Sequence, residues 1–317
     1  MVEAGLLTQR PPQERFPATA ITKGETFAWV SQGIVVYVLG SLEPVWGELI
    51  ALWSALSRTL SPFRHARLWD ELTWKELPDA ASEAQLRSQV EATAGKRHGW
   101  KVELLSDRSA PQTSLEFRDG NQALGNQCAS YLRIRLPLDT PPERLLELVT
   151  RMAEVLPVWH GSAGYVFNVV ESERALAYDQ VWAWARRYWG VQVVDPVTAV
   201  WDAGKGLLGI NWLTLLGNEF LRERAPQLCV EKTSDEHVSI SHSSRAAIVQ
   251  AGERPLIGDL NVFEELAPYI QASHLLSGAL IEEATEFPGM FTDQESTSRW
   301  MYRFENPHAW LDPDLPA

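Results

Sequence analysis

The sequence contains very few cysteines and no long apolar run. Its only two cysteines among 317 residues, Cys128 and Cys229, lie far apart and form no CxxC pair. This excludes a disulfide framework and a cysteine-based zinc site, so we expect two small buried thiols. No apolar stretch approaches the roughly 18 residues of a membrane span, and the first residues lack an export signal. We therefore expect a cytoplasmic protein that does not enter membranes.

Positive charge is also scarce. The chain has 28 Lys and Arg against 41 Asp and Glu, a formal net charge of −13. This charge opposes direct binding to nucleic acid or anionic lipid, because both attract clustered cations. Residues 253–317 carry twelve acids and only three bases. Two interpretations of this acidic region are equally open: a solvated face, or an electrostatic docking surface for a cationic partner.

Tryptophan, in contrast, is abundant and clustered. Residues 178–217 hold five of the fourteen tryptophans and the clearest helical periodicity. We predict a helix over residues 173–189 whose wide apolar arc is buried on more than one side. A base-stacking platform is less favoured than a core, because only Arg186 and Arg187 flank these rings. The residues expected in this structural core are Trp182, Trp189 and Trp212.

The rest of the sequence alternates strand and helix patterns. Residues 114–136 alternate around the turn signal Asp119-Gly120 and predict an antiparallel strand pair. One face of this pair is expected to be solvated, and it carries Tyr131, Arg133 and Arg135. Next, Thr140-Pro141-Pro142-Glu143 matches a capping box and predicts the start of a helix.

Together these patterns indicate an α+β fold. We expect a largely antiparallel or mixed sheet flanked by amphipathic helices, with two similar strand–helix lobes as one option. Residues 1–25 are predicted to form an irregular N-terminal arm. Residues 26–317 are predicted to form a single domain, and a division into packed lobes of residues 26–125 and 126–317 is left open.

Local patterns that suggest chemistry are weak. Residues 204–209 match GxGxxG, but the sequence that follows is typical of a strand rather than the helix that a dinucleotide site needs. His237 and His242 are five positions apart in a predicted strand, so they point to opposite faces and do not share a metal. Asp202 is the one acid whose neighbours indicate burial. We expect no catalytic, cofactor-binding or metal-binding residue.

Three segments resemble a known family when taken in order: AYDQVWAWARRYWGVQV, GLLGINWLTLLG and AAIVQAGERPLIGDLN. They resemble the type VI secretion system immunity family, whose members accompany VRR-Nuc and other restriction-endonuclease-like nuclease toxins. The resemblance spans residues 26–270. Its markers are Tyr188-Trp189-Gly190, Gly209-Ile210-Asn211-Trp212-Leu213-Thr214, Ile248-Val249-Gln250-Ala251-Gly252 and Gly258-Asp259. It implies a non-enzymatic antitoxin without cofactors. This antitoxin binds and neutralises a secreted nuclease effector, whether or not that effector carries a PAAR domain.

The marker residues are mostly Trp, Gly and apolar, so they are expected to preserve the fold rather than to touch the toxin. We predict that the partner is bound by acids in the C-terminal third: Glu282, Glu283, Glu286, Asp293 and Glu295. Two other function classes stay open. One is an enzyme with a site near Asp202 and the 204–209 glycine turn, and the other is a chaperone or adaptor that loads the effector without inhibiting it. A homodimer also stays open.

Overall fold

The computed structural model describes most of the chain. The described residues are 19–22, 25–60, 62–68, 73–93, 101–108, 113–120, 128–170, 174–193, 195–229, 237–282, 291 and 294–311. The strands are β1 Thr19–Thr22, β2 Glu25–Val38, β3 His65–Leu68, β4 Lys75–Glu76, β5 Lys101–Leu105, β6 Ser114–Arg118, β7 Ser130–Leu136, β8 His160–Val169, β9 Leu213–Gly217, β10 Val238–His242 and β11 Ala246–Ala251. The helices are α1 Trp46–Thr59, α2 Ala80–Thr93, α3 Pro142–Val155, α4 Arg174–Arg187, α5 Pro196–Ala199, α6 Asn218–Arg224, α7 Ala267–Leu276, α8 Gln294–Met301 and α9 Pro307–Leu311.

These strands form one sheet in which the named strand pairs are antiparallel. Its order is β10-β11-β9-β8-β2-β7-β6-β5-β3-β4, and β1 pairs with the start of β2. The predicted α+β class and largely antiparallel sheet are confirmed. Residues 19–22 of the predicted irregular arm are in fact strand β1, whereas residues 1–18 lie outside the described residues.

The first long strand lies in the middle of this sheet. β2 pairs with β7 along Gln32–Val38 and with β8 along Ala28–Tyr37. Both neighbours lie more than ninety positions further along the chain. One sheet therefore includes strands from both sides of residue 125, because a strand from residues 26–125 lies between two strands from residues 126–317.

One face of the sheet is apolar and covered by helices. Phe117 on β6 pairs with Leu132 on β7, and the ring of Trp46 on α1 meets Phe117 edge-on with the centroids 5.5 Å apart. Trp184 on α4 stacks on Phe167 of β8 at 5.8 Å. Further along the sheet, α3 contacts β8, β9 and β11, and α7 contacts β10 and β11. The helices thus supply the other half of the core.

The predicted helix start at Thr140 is one residue too early. The N-cap of α3 is Pro141, and no side chain caps the helix. Thr140 instead donates its hydroxyl proton to the carbonyl of Pro137 at 2.7 Å, which closes the preceding turn. The prediction of a capping box was therefore wrong, because the Thr140 hydroxyl forms its hydrogen bond within the turn that precedes the helix. The buried stripe of α3 includes Leu145, Leu148, Val149 and Met152, which lie at helical spacing.

Candidate functional site

The marker motifs, although far apart in sequence, meet in space. The amide of Trp189 donates to the carbonyl of Gly258 at 3.1 Å, and that of Gly190 donates to Ile257 at 2.9 Å. A Cβ added at Gly190 would lie only 2.1 Å from the carbonyl oxygen of Leu256. No larger residue fits there, because the two backbone segments are in direct contact.

The second and third markers extend the same assembly. The side-chain amide of Asn211 donates a hydrogen bond to the side-chain oxygen of Gln192 at 3.1 Å. The indole N–H of Trp212 donates to the carbonyl of Gly252 at 3.0 Å, and the amide of Ala251 donates to the carbonyl of Trp212 at 2.8 Å. We call this assembly the motif hub; it comprises residues 188–190, 209–212, 251–252 and 257–259. It holds these distant segments together through direct backbone contacts and through the hydrogen bond from the indole of Trp212.

The predicted core tryptophans have different environments. Trp189 is 5% exposed and Trp212 is 1% exposed. Trp182, in contrast, is 37% exposed, and the guanidinium of Arg186 lies 4.8 Å from its ring centroid. Its assignment to the core was therefore wrong. Helix α4 packs through a narrower arc than predicted, so a tryptophan at the margin of that arc lies under an arginine instead of inside the protein.

A tightly bonded turn lies beside the hub; we call residues 258–265 the Asp259 turn. Both carboxylate oxygens of Asp259 accept from the Arg187 guanidinium, at 2.8 and 2.9 Å, and this bonding raises the pKa of Arg187. Asp259 also accepts from the amide of Asn261 at 3.0 Å. Glu264 accepts from the amides of Gly258 at 2.8 Å and Asp259 at 3.2 Å. Side chains thus hold the turn from both ends.

This turn displays Phe263. Its φ is 51° and its ψ is 43°, which places it in the left-handed region; among the described residues it is the one non-glycine with positive φ. The side chain is 89% exposed. Ile270, in the following helix α7, is another large apolar side chain at the surface, 39% exposed. This feature could not be predicted from the sequence, because nothing in VFEELA signals a left-handed phenylalanine.

The predicted docking acids are described only in part. Glu282 is exposed. The pKa of Tyr302 is raised, chiefly by burial and then by the charges of Glu305 and Glu282, so these three side chains lie near one another. Glu295 is exposed on α8 and forms an i, i+4 ion pair with Arg299. The other three predicted residues, Glu283, Glu286 and Asp293, lie outside the described residues.

The opposite face of the sheet from the apolar one carries a row of charges, which we call the charge row. Its members lie opposite one another on four neighbouring strands: Arg67 on β3, Glu103 on β5, Glu116 on β6 and Arg133 on β7. Their side chains are only 4% to 21% exposed. Tyr131 and Arg135 on the same face are also buried, so the prediction of a solvated face was wrong. The alternation was recognised, but alternation alone does not reveal what covers a polar face.

Complementary charges stabilise this row. Arg133 and the Tyr131 hydroxyl both donate to Glu116, and Lys101 bridges Glu103 at 3.1 Å and Glu116 at 3.7 Å. Burial alone would raise the pKa of Glu116, but Arg133 and Lys101 lower it to about 2. These contacts keep Glu116 ionised at neutral pH and give it a structural role.

The glycine turn at residues 204–209 does not have the geometry of a dinucleotide site. Asp202 is buried, as its neighbours indicated, and its carboxylate pairs with Lys205 at 2.7 Å. A Cβ added at Gly206 would lie 2.9 Å from the carbonyl of Ala279, so this glycine allows two backbone segments to meet. The next regular element is strand β9, whereas phosphate binding needs a helix N-terminus.

The described residues contain neither a cluster of metal ligands nor a membrane-spanning helix. His237 and His242 are both exposed at the two ends of the β10 segment. Nowhere in the described part of the chain do three His, Cys, Asp or Glu side chains gather as metal ligands would. None of the helices within the described ranges is long and apolar enough to cross a bilayer.

Comparison with known proteins defines the class of the chain as type VI secretion immunity. A family model described as TsiV, type VI immunity for VRR-NUC, matches residues 63–304, and the chain belongs to this family. The fold is also similar to that of the Pseudomonas aeruginosa T6SS protein PA0821. The TM-score is 0.75 at 20% sequence identity, over 100% of this chain and 95% of that one, which shows a shared fold. Curated proteins give no match.

Proposed function

We propose that this chain is a cytoplasmic antitoxin that neutralises a VRR-Nuc-type nuclease effector by forming a one-to-one complex with it, without catalysis. The observation that carries the proposal is the match to the immunity family over residues 63–304. The net charge of −13 supports a cationic partner. Immunity by binding needs only a stable, complementary surface, and the motif hub supplies a rigid support for one.

Electrostatics explains why the partner would be a nuclease. An enzyme that cleaves DNA must present cations to the phosphate backbone, and that surface attracts a strongly acidic protein. The exposed Glu282 and Glu295, together with Glu283, Glu286 and Asp293, form the proposed acidic docking region. Occupation of the cationic surface would exclude DNA without any contact with the catalytic residues.

The proposal is tested by titrating this chain into a purified VRR-Nuc nuclease from the same organism, with or without a PAAR domain. DNA cleavage should fall linearly and reach zero at one equivalent. Inactivation by a small fraction of an equivalent would instead favour an enzyme, with Asp202 as the first residue to substitute. Binding without loss of cleavage would favour a chaperone or adaptor. Failure to protect cells that express this nuclease would reject the immunity function.

The acidic docking region is tested by reversing its charge. Replacement of all five acids by lysine should slow association with the nuclease by about tenfold or more at low salt, because electrostatic steering is lost. The matched control reverses five exposed acids elsewhere: Glu143, Glu147, Glu154, Glu219 and Glu223. Circular dichroism verifies the fold of both variants. Equal association rates for the two would show that net charge matters but that this surface does not.

A further inference from the structure

Phe263 contributes almost nothing to the fold. A buried phenylalanine ring is normally a large favourable contribution to folding, but this ring is 89% exposed. The backbone is unfavourable as well, because its left-handed conformation suits glycine or asparagine and disfavours bulky side chains. An outlier of this kind, at a site where neither backbone nor side chain stabilises the protein, points to a role in recognition.

The turn that carries Phe263 is rigid. Asp259 is 4% exposed and is fixed by the two hydrogen bonds from Arg187, while Glu264 clasps the amides of Gly258 and Asp259. The ring is thus presented on a preorganised turn rather than on a mobile loop. Preorganisation reduces the entropy that a binding residue loses when it enters a partner.

The surroundings of the ring are acidic. Residues 253–265 contain four acids and one base, and one of the acids, Asp259, is already paired with Arg187. Glu253 and Glu265 are exposed. The turn that contains Glu253 lies near the start of α7, since a Cβ added at Gly252 would be 3.3 Å from Pro268. An aromatic side chain within a charged rim is the usual arrangement of an interface hot spot.

We propose that Phe263 is the anchor with which this chain enters an apolar pocket, rimmed by lysine or arginine, on the cationic nuclease. This inference rests on the proposed function and names the residue that performs it. Glu265, the exposed acid two positions further along the chain, pairs with the cations of the rim. The five C-terminal acids then steer the encounter, whereas Phe263 holds the complex together, so the former control association and the latter controls dissociation.

The test substitutes Phe263→Asn, which removes the ring and retains a residue that tolerates the left-handed backbone. Its Tm should equal or exceed that of the wild type, whereas its Kd for the same purified VRR-Nuc nuclease should rise by roughly 30-fold, mainly through faster dissociation. Phe263→Tyr keeps the ring and should bind within about threefold of the wild type. The matched control is Trp201→Ala, which removes another exposed aromatic, 47% exposed, from the turn after α5 and should leave Kd unchanged.

Each remaining outcome overturns a distinct statement. If the wild type does not bind the nuclease, the proposed function fails. If the wild type and Phe263→Asn bind equally well, the function stands and the anchor is rejected. A lower Tm for Phe263→Asn would show that the ring stabilises the fold and would also reject the anchor. So would a change from dimer to monomer in the free chain, because the ring would then contact a second copy.

Discussion

The motif hub is stabilised mainly by contacts between backbone atoms, whereas the charge row is stabilised by contacts between side chains. In the hub, backbone segments touch directly at Gly190 and Gly258, and the indole N–H of Trp212 donates to a backbone carbonyl. In the charge row, long ionised side chains such as Glu116 and Arg133 neutralise one another across strands. Few other residue types could replace those of the hub, because little space is left around them. The role of each residue in the charge row depends instead on the charge of its neighbours. This explains why the first region has recognisable motifs and the second has none.

The largest effect is expected in the hub. Gly190→Ala should destabilise the protein by at least about 4 kcal/mol, because the new methyl group would overlap the carbonyl of Leu256 and the backbone would have to separate. Urea denaturation measures this loss. The control is Gly47→Ala in α1, where no atom lies within 4 Å of the added Cβ and helix propensity favours alanine. Similar losses for both variants would contradict the close-contact explanation.

A smaller but still large effect is expected in the charge row. Glu116→Gln keeps the shape of the side chain but leaves Arg133 and Lys101 without their shared acid, which should cost about 3 kcal/mol. The control is Glu295→Gln, which breaks an ion pair whose glutamate side chain is 69% exposed and should cost less than about 1 kcal/mol. Equal costs would show that burial adds nothing to the charge row.

The same substitution makes a prediction about pH. The pKa of Glu116 is about 2 in the folded protein and 4.5 ordinarily, so its contribution is fully present above pH 4.5 and is lost as the pH falls toward 2. The difference in unfolding free energy between the wild type and Glu116→Gln should therefore shrink over this window. A difference that stays constant with pH would show that the charge of Glu116 is not the cause.

The smallest effect is expected at Trp182, on the surface of helix α4. Trp182→Ala should cost less than about 1 kcal/mol, because this ring is 37% exposed and mainly contacts Arg186. The comparison is Trp189→Ala, which removes a ring that is 5% exposed and should cost roughly 3–5 kcal/mol. Thermal unfolding of the two variants distinguishes them. If both substitutions reduced the unfolding free energy equally, Trp182 would belong to the core after all.

Periodicity predicted the elements well where one face meets an apolar core. The stripe of α3 and the strand pair β6 and β7 follow directly from spacing, because burial of apolar side chains imposes that spacing. Periodicity could not predict that Tyr131 and Arg135 are buried, since that depends on strands brought together from other parts of the chain. The conformation of Phe263 was also beyond reach, because it contradicts the local preference of its own residue type.

The central position of β2 also governs when this protein becomes functional. Its partner strand β8 ends at Val169, so the middle of the sheet can close only after the ribosome has synthesised that residue. At bacterial rates of about 5–20 residues per second, this takes on the order of 10 s. Pairing between such distant segments also folds slowly. A cell that relies on this chain for protection therefore needs a standing stock of folded copies, because synthesis that begins when the toxin arrives leaves an interval without defence.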